Sequence, residues 1–392
     1  MYLHYQKSNF LNIIISFILL SISPLSAQLI DCDSENRYQD EIFNNIIVET
    51  DVVYSNIYSL TMDIYYPDSD TDVCTNRPLI ILAHGGSFIG GSKTNPTMVD
   101  LCETLAKRGY VAASINYRLA TNSTVLGPIS GLFWMTNLEN GINVIYSAMT
   151  DAKAAVRFFR KEFAEMDNPY GIDPNKIWMG GNSAGGVLTL HLGYINSLNE
   201  FVSGIDDSVQ DYAMNLANDN GGIEGNSGND GYSSAISGMI NLAGALHTTA
   251  WLDESDLTPI VSCHGTEDET VPDECGTILN SPTNLTACGS MAIHPIISDY
   301  GASNDLLVYD GAAHCPWDLN ASDKQQMIDF VTSFVYQNID CNSTILAAPP
   351  ISKQVIYSTD ILGREVNKNH FGFLFQVYND GSVNKQYVIG PK

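Results

Sequence analysis

The stretch that decides the fold is Lys176-Ile177-Trp178-Met179-Gly180-Gly181-Asn182-Ser183-Ala184-Gly185-Gly186-Val187-Leu188-Thr189-Leu190-His191-Leu192. A short apolar run leads into Gly-x-Ser-x-Gly, and a helix-like segment follows. Strand, sharp turn and helix is the context in which a serine hydroxyl is held out as a nucleophile. Side chains two residues either side of the serine would collide where strand and helix meet. Gly181 and Gly185 remove them. Alone the pentapeptide is a weak signal, because glycine-rich turns are common; its weight comes from what stands around it in order.

Working outward, Pro78–Ala83 is a continuous apolar run ended by His84-Gly85-Gly86, the pattern of a buried parallel strand. A helix is predicted from Thr97 to Arg108, closed by Gly109, and a strand over Tyr110–Ile115. Thr150–Glu165 reads as an amphipathic helix, with Ala154, Ala155, Phe158, Phe159 and Phe163 at helical spacing. Beyond the serine come strands over Ala235–Ala243, Pro259–Cys263 and Asp305–Tyr309, then a helix over Ser322–Tyr336. Upstream, Val52–Tyr54 and Leu60–Tyr66 alternate like an edge hairpin, preceded by polar, irregular residues 28–50. Strands alternating with helices imply a mostly parallel sheet covered on both faces, an α/β fold. Two insertions interrupt the rhythm. Residues 119–149 read as an apolar, loop-like segment that includes Phe133 and Trp134. Residues 199–233 are rich in Asn, Asp and Gly and read as a flexible surface loop. Their spacing hints at calcium but lacks the full ligand pattern.

The first 27 residues read as an export signal: Lys7, an apolar core over Phe10–Leu20, then Pro24 and the small residue Ala27. That core is short for a membrane span; a retained anchor is the alternative. The formal net charge of −26 repels nucleic acid and anionic membranes. All eight cysteines lie beyond the signal and none forms a Cys-x-x-Cys pair, so zinc and thiol-redox roles are disfavoured and disulfides expected. Short loops make Cys275–Cys288 and Cys315–Cys341 attractive pairs, with Cys32–Cys74 next. Cys102 and Cys263 sit in apolar runs and read as buried thiols.

Two further segments complete the chemistry. Cys263-His264-Gly265-Thr266-Glu267-Asp268-Glu269-Thr270-Val271-Pro272 places carboxylates on a loop at a strand's carboxyl end. Gly311-Ala312-Ala313-His314 follows the last strand. A serine hydroxyl is a poor nucleophile until a neutral imidazole takes its proton, and that imidazole needs a carboxylate to fix its tautomer. His264 competes with His314 as the base, and Glu267 or Glu269 with Asp268 as the acid. His191, His247 and His294 read as incidental, and Asp151 and Arg157 as scaffold or surface groups.

Four ordered motifs, His84-Gly85-Gly86-Ser87-Phe88, Asn116-Tyr117-Arg118-Leu119, Gly-Asn-Ser-Ala-Gly-Gly and the His264–Pro272 segment, together resemble the esterase/lipase branch of the α/β-hydrolases. That branch includes hormone-sensitive-lipase-like and type-B carboxylesterases. The resemblance covers roughly residues 50–338. It implies Ser183 as nucleophile, His314 as base and Asp268 as the orienting acid. Oxyanion-hole amides would come from Gly86, Ser87 and Ala184. Many members carry a third glycine where this chain has Ser87, but a backbone amide donates whatever small side chain it bears.

After Cys341 the character changes: Ala347-Ala348-Pro349-Pro350 lies in a linker, residues 342–352, and a small strand-like module runs over 353–392. Asp360-Ile361-Leu362-Gly363-Arg364 and Asp380-Gly381-Ser382-Val383-Asn384-Lys385 are similar to the C-terminal sorting domains of the type nine secretion system. A β-rich accessory domain is the plainer alternative. The resulting expectation is a catalytic domain over 28–341 that hydrolyses a small-molecule or polymer-borne ester, needs no cofactor, and meets the secretion machinery through its tail. A serine peptidase of the same fold and a non-catalytic adhesion module are the competing classes.

Overall fold

Past its first residue, Arg77–Ala83 (β3) is apolar because it is buried on both faces, and the sheet grows outward from it. In a computed structural model, residues 29–120, 137–278 and 285–339 are described, together with 355–360, 364, 366, 372–378 and 383–388 of the tail. Ile46–Ser55 (β1) and Leu60–Pro67 (β2) form the antiparallel edge hairpin that the alternation predicts, with β1 starting earlier than expected. Pro96–Arg108 (α1) follows β3, capped by Asn95 at its start and by left-handed Gly109 at its end. Val111–Ile115 (β4), Ile172–Asn182 (β5), Gly238–Leu242 (β6) and Ile260–Gly265 (β7) are the next sheet strands. Cys275–Thr277 (β8) and Thr286–Cys288 (β9) form a separate small hairpin, and Asn304–Tyr309 (β10) is the last strand of the main sheet. The eight-stranded sheet runs β1-β2-β4-β3-β5-β6-β7-β10. All its pairings from β4 onward are parallel. This is the α/β-hydrolase fold.

Leu138–Glu165 (α2) and Ala184–Tyr194 (α3) cover one face together with Ser290–Tyr300 (α6). α1 and Ala321–Asn338 (α7) cover the other. Two expectations fail here. The segment read as an apolar loop over 119–149 is helical from Leu138. Asn137 caps α2 and accepts from the amides of Glu139 and Asn140, while Val144, Tyr146, Ala148 and Met149 are buried. Its residues 121–136, with Phe133 and Trp134, lie outside the described residues. The expected surface loop over 199–233 carries two helices, Leu198–Ser203 (α4) and Asp207–Asp219 (α5). In α5 a thin stripe of Val209, Ala213 and Ala217 is buried beneath a polar surface. Further down α2, Phe163 is 40% exposed and outside the core face predicted for it. Asp151 and Arg157 are scaffold groups, both deeply buried.

Disulfides join Cys32 to Cys74 and Cys275 to Cys288. The expected Cys315–Cys341 bond is not formed. Cys315 is a buried free thiol that donates to Asn182 Oδ1 at 3.3 Å, and Cys341 lies outside the described residues. Cys102 and Cys263 are buried thiols, as the apolar runs suggest. In the tail, Val355–Thr359 (β11), Gly372–Tyr378 (β12) and Val383–Val388 (β13) form a three-stranded antiparallel sheet. Arg364 Nε donates to Asp360 Oδ2 at 2.7 Å. The linker, the export signal and Asp380–Ser382 lie outside the described residues.

Candidate active site

Ser183 stands between β5 and α3 with φ 54° and ψ −114°, a strained backbone for a residue with a side chain. The strain is held by close packing. A Cβ on Gly181 would lie 2.4 Å from the carbonyl carbon of Gly185, and one on Gly185 would lie 2.0 Å from the carbonyl oxygen of Ala83. The Ser183 amide donates to Leu242 O at 2.7 Å, tying the turn to β6.

His314, on the loop after the edge strand β10, reaches the turn at the same end of the sheet. Its Nε2 is 2.8 Å from Ser183 Oγ, and its Nδ1 is 2.6 Å from Asp268 Oδ2. Asp268, on the loop after β7, is buried, and its Oδ1 accepts from the amides of Thr270 and Val271 at 2.8 and 2.9 Å. Burial alone would oppose its ionisation. Hydrogen bonds from His264 and His314 outweigh that, and the carboxyl is held well below the usual carboxylate range. An ionised Asp268 accepts from Nδ1–H, which leaves the His314 Nε2 lone pair directed at the serine hydroxyl.

His264 Nε2–H is shared between Val271 O at 3.1 Å and Asp268 Oδ2 at 3.4 Å, and Nδ1 accepts from Ser290 Oγ at 2.9 Å. It braces the acid loop and does not reach the serine. Glu267 and Glu269 are exposed and flank Asp268 without joining it. His191 and His247 pack on Trp251 and His294 bonds Asn304 and Ser262, all away from the serine.

Residues 84–88 pass beside Ser183. A Cβ on Gly85 would come within 3.1 Å of Asn182 O and 3.2 Å of the Ser183 Cβ, so this strand end lies close against the turn. Gly86, Ser87 and Phe88 follow with φ of 120°, 52° and 59°, a run of positive-φ backbone next to Ser183. His84 Nδ1 donates to Gly85 O at 2.6 Å, and Tyr117 Oη donates to His84 O at 2.7 Å, fixing the loop's base. Ala184 opens α3, where amides point outward without helical partners of their own. The arrangement can take a proton from a serine, hold the imidazolium that results, and offer amides to a developing oxyanion.

Two supports escaped the sequence reading. Arg118 lies over the Tyr58 ring, 3.8 Å from its centre, and bonds the fully buried carboxylate of Asp151; the pair clamps the strand end after Tyr117 to α2. Lys93 bridges Asp63 and Asp51 and anchors the far end of the 84–95 loop. The Asn-Tyr-Arg-Leu motif was the available signal for the first; nothing local marks the second.

The family model BD-FAE matches residues 62–130 and 142–225, less than half of the chain. Those segments hold the 84–88 loop and Ser183, while Asp268 and His314 lie beyond them. The chain is similar to carboxylesterase 3B of Mus musculus, 30% identical over 133 residues, 34% of this chain and 20% of that protein. It is also similar to the probable carboxylesterase 5 of Arabidopsis thaliana, 26% identical over 149 residues, 37% of this chain and 42% of that protein. The similarity thus spans less than half the length of either relative. Among solved structures, esterase 2 of Thermogutta terrifontis superposes with a TM-score of 0.48 at 21% identity, covering 74% of this chain and 94% of that one.

Proposed function

We propose that this chain is a serine carboxylic-ester hydrolase that works through an acyl-enzyme on Ser183. The observation that carries the reading is the His314 imidazole, 2.8 Å from Ser183 Oγ and 2.6 Å from Asp268. Three loops distant in sequence meet there at one end of the sheet. His314 Nε2 accepts the serine proton as Oγ attacks the ester carbonyl. The tetrahedral oxyanion is received by amides of Gly86, Ser87 and Ala184. As the C–O bond breaks, His314 returns the proton to the leaving alcohol. A water then attacks the acyl-enzyme by the same route and frees the acid. Asp268 stays ionised throughout and stabilises the imidazolium.

Turnover of a p-nitrophenyl acyl ester tests this. Ser183→Ala should lower kcat by ~10³-fold or more with the melting temperature unchanged. A folded variant that keeps most of the activity removes Ser183 from the mechanism.

The two disulfides favour an oxidising compartment, and among the described residues no helix is long and apolar enough to cross a membrane. With the N-terminal signal and the tail motifs, this supports an enzyme exported and then passed across an outer membrane by a type nine system. Its ester would then be an external one, such as acetyl or feruloyl groups on polysaccharide or a short-chain lipid or polyester. A chain of residues 28–345 should hydrolyse the ester like the longer one but stay in the periplasm of its host. Normal secretion without the tail would discard the sorting role.

A further inference from the structure

The side chain beside the nucleophile takes no part in the chemistry above, yet every polar atom it has is in use. Asn182 closes β5 and is 3% exposed. Its Oδ1 accepts from Trp317 Nε1 at 2.9 Å and from the Cys315 thiol at 3.3 Å. Its Nδ2 donates to Asp318 Oδ2 at 3.0 Å. All three partners follow His314 immediately in the chain. Asp318 is held in turn by the Thr97 hydroxyl at the start of α1. On its other side the loop is tied to the end of β7: the Gly311 amide donates to Thr266 Oγ1 at 2.8 Å, and the Glu267 amide to Ala312 O at 2.9 Å. Cys315 has φ 52°, so the chain turns through a strained conformation directly after His314. Such a turn persists only where its surroundings over-determine it.

We propose that Asn182 is a positioning residue that sets His314 against Ser183, and that an amide is required there. The inference rests on the Ser183–His314 reading above. One amide satisfies both polarities, its oxygen receiving two donors and its nitrogen serving a carboxylate. A carboxylate at 182 would receive the same two donors but face Asp318 oxygen to oxygen, a like-charge contact at hydrogen-bond distance. Relieving it moves residues 315–318, and His314 with them. A displacement of about 1 Å in a reacting group costs ~10²-fold in rate.

The experiment compares wild type, Asn182→Asp, Asp318→Asn, Trp317→Phe and the double variant Asn182→Asp/Asp318→Asn. Two readouts are taken: kcat and KM on p-nitrophenyl butyrate, and the rate at which a fluorophosphonate labels Ser183, followed by mass spectrometry. Asn182→Asp should lower kcat and the labelling rate together by ~10²-fold with KM within about twofold. The double variant reverses the polarity of the bond and should recover at least about tenfold of both. Trp317→Phe, which keeps the ring but loses one donor, should lower both by about threefold to tenfold. Wild-type rates in Asn182→Asp overturn the proposal. So does a folded double variant no faster than Asn182→Asp. If Asn182→Asp does not fold, the double variant and Trp317→Phe decide, and unchanged rates in Trp317→Phe overturn it. A wild type that neither hydrolyses ester nor labels at Ser183 sinks the hydrolase reading instead; a labelled wild type with unaffected variants sinks only this one.

Discussion

The Ser183 turn and the segment over 198–235 are held in opposite ways. At the turn, backbone lies on backbone: Gly181 and Gly185 leave no space for a Cβ, and the strain at Ser183 is sustained by that contact. Around the segment over 198–235, where α5 packs on α2, side chains carry the load. Glu224 there accepts from Lys153 at 3.2 Å and Arg157 at 2.8 Å, both buried on α2. Arg157 also donates to Gly228 O, and Arg160 to Ser233 O and Ala235 O. The difference teaches where each region tolerates change. The turn has no slack but asks little of its neighbours' chemistry. The inserted segment has slack in its backbone but depends on a few buried cations finding acceptors.

The sharpest break between the two regions comes from adding one methyl group to each. Gly185→Ala puts a Cβ 2.0 Å from the Ala83 carbonyl oxygen, where only backbone could yield. It should cost about 3 kcal/mol or more and leave little folded protein, read by urea denaturation. Gly222→Ala meets nothing within 4 Å and is penalised only through its φ of 72°, so about 1 kcal/mol is expected. Equal losses at the two positions would erase the distinction.

The acid loop tests the rigid region by chemistry. Asp268→Asn should lower kcat by ~10⁴-fold, because an amide that turns its nitrogen to His314 favours the wrong tautomer. Glu267→Gln and Glu269→Gln should stay near wild type, since both side chains are exposed and flank the pair. A larger loss in Glu269→Gln would move the acid by one residue.

This contrast also explains what the sequence revealed. Close backbone approach demands glycine whatever surrounds it, so Gly181 and Gly185 announce the turn locally, and the strands on either side are legible from their unbroken apolar runs. In the sequence only the motif sets Asp268 apart from its acidic neighbours; the hydrogen bonds that hold it, from Thr270, Val271 and the two imidazoles, are set by the loop's shape. Residues 199–233 read as a loop because their folding signal is spread across distant positions. A stripe of Val209, Ala213 and Ala217 is thin, and its Asn, Asp and Gly content resembles a loop until Lys153 and Arg157 are placed opposite Glu224. In α2, Ile142, Ile145, Tyr146 and Met149 carry a helical period behind the Asn137 cap, a signal obscured by Gly141 and the apolar run before it. Cys315 looked like a disulfide partner because sequence separation cannot show that its thiol faces Asn182.

Glu224→Gln measures the charged region directly. The carboxylate is half exposed while Lys153 and Arg157 are not, so the loss falls mainly on the two buried cations. About 1–2 kcal/mol of stability should go, well short of a fully buried pair, with kcat on a small ester kept within about twofold. A drop in kcat as large as that of Asp268→Asn would mean that the inserted segment shapes the site.

The smallest effect lies in α3 itself, at the end away from the nucleophile. His191 is deeply buried, packs edge-on against Trp251 and donates from Nδ1 to Val187 O at 2.7 Å. Burial, only partly offset by that hydrogen bond, lowers its pKa from 6.5 to about 4. The fold therefore holds a neutral ring where the unfolded chain holds an imidazolium, and between those two values the unfolded chain binds more protons. Stability must rise with pH across this window and fall on acidification from about 6.5 toward 4. His191 alone should remove roughly 1 kcal/mol between pH 8 and pH 6, growing as the pH drops further. His84, His247 and His294, each lowered mainly by burial, add to the same slope. Thermal melts of wild type and His191→Asn across pH 8 to 5 separate its share: the variant keeps an amide donor near Nδ1 but cannot titrate. Its curve should start lower and run flatter. Parallel curves would show that His191 takes up protons equally in the folded and unfolded chain.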